Sequence, residues 1–298
     1  LSHDHLDYHK NFTDYLNSKL YLFENLLKKN GTIITDATLP QFDKIKKIAT
    51  KKKYKLLHLS GKNSDLIMVS HTYKGELQII DIKYKSKIYN LKLNLIGKIQ
   101  IKNILMAILA SIKSNLDIKK VFSVINKIQP VEGRLEKVGI IKNKSKVILD
   151  YAHTPDALKT VLMNVKDQFP LSKISLVFGC GGDRDKEKRS KMGKIASRCS
   201  DMIYLTDDNP RGENPKKIRN DIKKKINQKK IKEIPNRKKA IFECIKNLRS
   251  GEIAIIAGKG HEKTQDYNGH KKYFSDRNEI LKSIDLKNRI LFKDLRLN

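Results

Sequence analysis

The chain has no tryptophan, three cysteines and only 32 acidic residues against 63 basic ones in 298 positions. Cys180, Cys199 and Cys244 are odd in number and lack CxxC spacing, which speaks against a disulfide framework and points to a reducing cytoplasm. No apolar run approaches the roughly 18 residues of a membrane-spanning helix, and no signal-peptide pattern is visible, so no membrane partner is expected. The shortage of acid leaves a formal charge of +31. On its own that suggests nucleic acid. Lysine, however, is spread over the whole chain, and with abundant Ile and Asn it reads as a general compositional bias and a solvated surface. The densest run, Lys216 to Lys232, places Ile218, Ile222 and Ile226 at helical spacing without interleaved aromatics, so it reads as an amphipathic helix.

A phosphate-binding loop is also missing. Gly258-Lys259-Gly260-His261-Glu262 resembles one, but no Ser or Thr follows the GK, and GxxxxGK[ST] occurs nowhere in the chain. The sequence starts at Leu1, not Met, directly in a motif, and is therefore read as a chain missing its beginning. Without a phosphate cradle these 298 residues alone are expected not to use ATP at an enzyme-like rate.

Charge and glycine concentrate instead between Ser175 and Arg211. An apolar run to Phe178 stops at Gly179, Gly181 and Gly182, then yields to a helical segment dense in Asp, Lys and Arg. A second apolar run, Met202 to Leu205, ends in Thr206-Asp207-Asp208-Asn209-Pro210-Arg211. This is a βαβ unit whose loops lie at strand carboxyl ends, where open α/β sheets bind ligands. Arginine forks suit carboxylates and aspartates suit ammonium groups, so a zwitterion fits these loops.

Around that unit, the first part reads as a helix from about Phe12 to Lys28, with Lys19 on or beside its apolar face. A β-rich stretch follows from Gly31 to Leu95, with a hairpin at Lys85-Ser86, then helices over Ile99–Ser114 and Asp117–Ile128. Pro130 and Gly133 break the pattern in QPVEGRLE and mark a domain boundary. Beyond it, strands alternate with helices, which implies a parallel sheet with crossover helices. Thr154 and Pro155 are placed as N-cap and first-turn residues of a helix.

DHLDYH, GRLE, DYAHTPD, FGCGGDRDKEKR, DNPR and AGKGHE follow one another in the order seen in the Mur ligases, and the chain resembles that family over nearly its whole length. The resemblance implies an α/β protein: the second half of a central ATP-binding domain, residues 1–132, followed by a Rossmann-like C-terminal ligase domain, residues 133–298. It implies ATP and Mg2+ as cofactors, and ATP-dependent amide ligation through an acyl phosphate in peptidoglycan synthesis. The substrates implied are a UDP-N-acetylmuramoyl dipeptide and meso-diaminopimelate, since DNPR goes with diaminopimelate rather than lysine in that family. A cytoplasmic monomer is expected.

By the same resemblance, His5 and a carbamylated Lys19, in the context Tyr15-Leu-Asn-Ser-Lys19, hold magnesium. Asn103, Arg134 and Asp150 approach the nucleotide. Arg184, Asp208, Asn209, Pro210, Arg211, Gly258 and Glu262 receive diaminopimelate. The plainer readings stay open: Lys19 a snorkelling side chain, Asn103 solvated, Arg134 a linker charge, Arg211 a surface ion pair with Asp208 or Glu213, and His153 a positioning group rather than a base. The alternatives are a lysine-adding or folylpolyglutamate-type ligase, a basic nucleic-acid-binding protein, or a catalytically dead binding module.

Overall fold

The computed structural model describes residues 8–61 and 63–294. The chain divides into two compact units that part between Gln129 and Pro130.

In the first unit, α1 (Phe12–Tyr21) is capped by Asn11, whose side chain accepts from the Asp14 amide, and runs on into one π-helical turn, Leu22–Leu26. Strand β1 (Thr32–Asp36), helix α2 (Phe42–Lys52) and strand β2 (Lys55–Leu59) form a parallel βαβ unit. Helix α2 lies inside the stretch read as β-rich. Ile45 and Ala49 recur at a helical interval and are buried, while lysines take most of its exposed surface. Strands β3 (Leu66–Lys74), β4 (Leu77–Tyr84) and β5 (Lys87–Leu93) continue the sheet as an antiparallel meander in the order β1-β2-β3-β4-β5. The β4–β5 turn is the expected Lys85-Ser86 pair, with Lys85 at φ 53°. Helix α3 (Lys98–Lys113) lays Ile101, Ile104, Leu105, Ile108 and Leu109 on Ile80, Ile82, Leu91 and Leu93 of the sheet, and α4 (Ile118–Ile125) closes this core. Each such fully buried aliphatic side chain stabilises by about 1.5–3 kcal/mol.

The second unit begins with β6 (Glu136–Ile140), β7 (Lys146–Asp150), α5 (Pro155–Gln168), β8 (Ile174–Phe178), α6 (Glu187–Cys199) and β9 (Met202–Leu205). It continues with α7 (Pro215–Lys223), β10 (Ile231–Glu233), α8 (Arg237–Lys246) and β11 (Ile253–Ala257). A hairpin, β12 (Thr264–Tyr267) and β13 (His270–Tyr273), precedes α9 (Asp276–Asp294). The sheet order is β10-β9-β8-β11-β7-β6, parallel except for β6 against β7. Val147–Leu149, Leu176–Phe178, Ile203–Leu205 and Ile253–Ala257 are buried throughout, as expected for parallel strands covered by helices on both faces. Thr154 caps α5 by accepting from the Ala157 amide, with Pro155 in the first turn. The lysine-rich run forms α7 and a short 3-10 turn rather than one helix, and Ile218, Ile222 and Ile226 still face the core. The β12–β13 hairpin has no apolar run and is not legible from hydrophobic patterning.

Arginine–carboxylate pairs lace this unit. Arg189 of α6 donates to Glu213 at 2.8 Å and to Asp221 at 3.2 Å, and Glu233 pairs with Arg219 and Lys223. Their pH response has a definite sign. The hydrogen bond from Arg189 holds the Glu213 carboxyl below its usual range, and Lys224 followed by Arg189 does the same for Asp221. At Glu233 burial pushes upward, but the bonds from Arg219 and Lys223 outweigh it. Carboxyls held low contribute stability above their ordinary pKa, which is lost as pH falls through the lowered values. Asp150 runs the other way: burial raises its pKa, so acid relieves that cost. With three carboxyls against one, the thermal midpoint should fall as pH drops below the carboxylate range, and Glu213→Gln should flatten the fall. A midpoint unchanged down to about pH 3 would show that these pairs add nothing.

Candidate functional site

The carboxyl ends of β7, β8, β9 and β11 converge with their loops on one edge of the second sheet. Most of the residues expected to hold a zwitterion come together there. The loops after β8 and β9 interlock. The Gly182 amide donates to the Asn209 carbonyl at 2.9 Å, Arg211 Nη1 donates to the Gly182 carbonyl at 2.8 Å, and the Gly212 amide donates to Asp183 Oδ2 at 2.9 Å. The approach demands glycine, since a Cβ on Gly182 would sit 1.8 Å from the Pro210 carbonyl oxygen.

The hairpin holds the same loop from the other side. Gln265 Nε2 donates to the Asp208 carbonyl at 2.7 Å, the Asp266 amide to Asn209 Oδ1 at 3.1 Å, and the Arg211 amide to the Asp266 carbonyl at 3.1 Å. Arg211 is thereby pinned at φ 52°, in the left-handed region. Asp207 is fixed behind the loop by Arg219 and by the Tyr267 hydroxyl.

Asp208 and Asn209 are buried, and Glu262 reaches them from the loop after β11. Asn209 Nδ2 donates to Glu262 Oε2 at 3.0 Å. Gly258, at φ 116°, leaves room for Asp208, whose Oδ2 would lie 2.7 Å from a Cβ there. Under this group lies Lys259, fully buried. Its Nζ donates to Asn209 Oδ1 at 2.9 Å and to Glu262 Oε2 at 3.0 Å, with Asp208 Oδ1 at 3.8 Å. Arg237, also fully buried, forks onto Asp276 and donates to the Ala257 carbonyl, while its Nη1 has no hydrogen-bond partner among the described residues. Arg184 stands on the exposed part of the loop after β8.

The neighbouring group is organised by Tyr151. The Arg134 guanidinium lies over its ring at 4.7 Å, and the His153 and His261 rings pack against it at 4.6 and 5.3 Å. Burial, then the hydrogen-bonded Glu262 carboxylate, raises the Tyr151 pKa. Asp150 accepts from the Leu135 and Ala152 amides, each at 2.8 Å, and so ties the GRLE segment to the end of β7. His153 Nδ1 lies 3.0 Å from the Tyr151 carbonyl oxygen.

The remaining expected residues belong to the first unit. Asn103 is exposed on α3, with its Nδ2 donating to Gln100 at 3.3 Å. Lys19 is exposed on α1 rather than partly buried, with its ammonium 5.0 Å from the Tyr15 ring centre; the helix turns Leu20, not Lys19, into the core. His5 lies outside the described residues. No group of three or more His, Cys, Asp and Glu that could hold a metal ion occurs among the described residues, and an ammonium repels a cation. The described residues therefore do not by themselves fit magnesium. Asp36, which ends β1, is held by Lys102 at 2.6 Å and by Thr38; burial pushes its pKa up, but these bonds bring it below its usual range. No described helix is long and apolar enough to cross a membrane.

The alternative of an Arg211–Glu213 pair does not hold, because Glu213 belongs to Arg189. Sequence reasoning missed Lys259 as a partner of the site, and missed the three anchoring arginines Arg189, Arg219 and Arg237. One signal was available: the chain has 11 arginines against 52 lysines, and none precedes Arg134. In a lysine-biased chain, arginine marks places where a planar fork is needed.

Residues 1–111 match the family described as the Mur ligase middle domain, and residues 133–260 the one described as the Mur ligase glutamate ligase domain. The chain belongs to the Mur ligase family. It is 38% identical over 282 residues to the UDP-N-acetylmuramoyl-L-alanyl-D-glutamate–2,6-diaminopimelate ligase of Rickettsia typhi, which covers 94% of this chain and 56% of that protein. The ligase of the same name from Zymomonas mobilis is 38% identical over 264 residues, covering 89% of this chain and 54% of its own length. A solved structure of a ligase of that name superposes with a TM-score of 0.64 at 30% identity, covering 96% of this chain and 59% of its own. The MurF ligase of Thermotoga maritima, solved with ADP, gives 0.68 at 16% identity over 96% of this chain and 60% of its own, a likeness of fold. The chain thus spans a little over half the length of these relatives.

Proposed function

We propose that the chain supplies the middle and C-terminal parts of an ATP-dependent ligase that joins meso-diaminopimelate to the D-glutamate carboxylate of UDP-N-acetylmuramoyl-L-alanyl-D-glutamate. The observation that carries this reading is the strand-end pocket. It brings buried Asp208, the Glu262 carboxylate bonded to Asn209, and Arg211 braced on Gly182 onto the same interlocked loops, and an amino acid's ammonium and carboxylate require such opposite charges. The names of the relatives support it.

Within this reading, Asp208 and Glu262 take the distal ammonium and Arg211 forks onto the distal carboxylate, with Arg184 as a second cation on the neighbouring loop. Asn209 has a narrow role. Its oxygen already accepts from Lys259 and from the Asp266 amide, so what remains is one N–H, which suits a carboxylate and not an ammonium. Gly258 and Pro210 shape the pocket walls through their close approaches to Asp208 and Gly182. Held this way, the proximal amine is oriented for attack, and orientation supplies much of the acceleration.

ATP acts as a co-substrate: its γ-phosphoryl group converts the glutamate carboxylate into an acyl phosphate, from which phosphate leaves as the amide forms. Arg134 carries a charge suited to phosphate, and Asn103 and Asp150 remain the nucleotide residues implied by the resemblance. Magnesium would be held by His5 and a Lys19 carbamate, as the resemblance implies, and would neutralise phosphate charge there. A lysine-rich surface around a closed arginine–carboxylate network favours this ligase over a nucleic-acid binder.

The test is a graft. Placed in the Rickettsia typhi relative in exchange for the 282 residues it matches, the chain should support ADP release that depends on diaminopimelate. Release that is equally fast with lysine would overturn the substrate assignment.

A further inference from the structure

Lys259 is fully buried, bonds to two of the groups assigned to the ligand and lies beside a third. We propose that Lys259 is a positioning residue that makes this pocket selective for an ammonium flanked by a carboxylate. The proposal rests on the reading of the pocket as the diaminopimelate site.

Charge gives the first reason. Asp208, Glu262 and Lys259 together sum to −1, which one ligand ammonium neutralises. Without Lys259 the two carboxylates stand together at −2, and neighbouring like charges favour protonation or separation of one of them.

Polarity gives the second. Asn209 Oδ1 accepts from Lys259 Nζ at 2.9 Å and from the Asp266 amide at 3.1 Å, while Nδ2 donates to Glu262 at 3.0 Å. Turning the amide over would set its NH2 against an ammonium and an N–H, and its oxygen against a carboxylate. Lys259 therefore locks Asn209 with its remaining N–H as the available function. A ligand lacking the distal carboxylate leaves that donor and Arg211 unpaired, and a site built to bond a polar group rejects the analogue without it. Lys259 acts through Glu262 and Asn209, not by contact with the ligand.

The experiment measures equilibrium binding of labelled meso-diaminopimelate to the 298-residue chain, with lysine as competitor. Lys259→Met keeps the bulk of the side chain and removes its charge. It should weaken diaminopimelate binding by about ten- to a hundredfold and lose most of the preference over lysine. Asn209→Ala removes that N–H without adding charge beside Glu262, so it should lose the same preference, and it decides the matter if Lys259→Met does not fold. Equal weakening for both amino acids, with the preference intact in the folded variant, would mean that Lys259 is merely structural and would overturn the proposal. No saturable binding by the unsubstituted chain would instead overturn the reading of the pocket itself.

Discussion

Changing Arg211 to alanine should erase the preference for diaminopimelate over lysine and cost about 2–5 kcal/mol in diaminopimelate binding, the size expected when one partner of a desolvated charge pair is removed. The two amino acids differ by one distal carboxylate, so the discriminating group must be a cation at that end of the pocket. Arg211 meets the requirement through its backbone as well as its side chain. Its amide and carbonyl are clamped to Asp266 and Asn268 of the hairpin, at 3.1 and 2.8 Å, and Nη1 is braced on the Gly182 carbonyl at 2.8 Å. That brace uses one of five N–H donors and leaves the fork available for a planar acceptor. Arg211→Lys keeps the charge without the fork and should fall between the two. Alanine tolerates the local φ of 52° no worse than arginine does, so the backbone is not the variable. Competition binding measures both variants directly. If each keeps the unsubstituted preference, the distal carboxylate is read elsewhere.

The largest effect on stability is expected at Asp276. Arg237 Nε and Nη2 donate to its two oxygens, each at 2.7 Å, and both side chains are fully buried. Burial alone would lower the pKa of Arg237, but attraction to Asp276 overrides this and raises it. Asp276→Ala leaves a buried guanidinium whose Nη1 already lacks a partner, at a cost of about 3–5 kcal/mol. The double change Arg237→Met with Asp276→Leu removes both charges and should recover most of that loss. Urea denaturation of the single and double variants gives the comparison. A single variant within about 0.5 kcal/mol of the parent would show that water reaches the pair and that the burial argument is wrong. Because Arg237 also donates to the carbonyl of Ala257, just before Gly258, the single variant should also loosen the loop that carries Lys259 and Glu262.

Much of this was legible in the chain itself. The strands β7, β8, β9 and β11 stand out as continuous apolar runs because parallel strands are covered on both faces, and the Thr154-Pro155 helix start follows from backbone chemistry confined to a few residues. Glycine turns and charged loops at the strand ends mark in the sequence where most of the candidate residues meet. Local physics suffices for such features, since the residues that cause them are adjacent in sequence. Helix α2 was hidden because lysines cover most of its surface and leave only a thin apolar stripe. The β12–β13 hairpin was hidden because its stability comes from pairing and from the loop it clasps, not from hydrophobic alternation.

What only the tertiary structure decided is which polar groups are spent and which remain. Asn209 could accept or donate when read as a letter; Lys259, 50 positions away, and Asp266, 57 away, consume its acceptor and leave the donor. Arg211 had two carboxylates within reach in sequence and pairs with neither, because Glu213 is taken by Arg189 from α6. Lys19 was placed near an apolar face and stands exposed, since the turn that carries it offers Leu20 to the core instead. A side chain's type is written in the sequence, but its unspent hydrogen bonds and net charge depend on partners that only folding brings within about 3 Å.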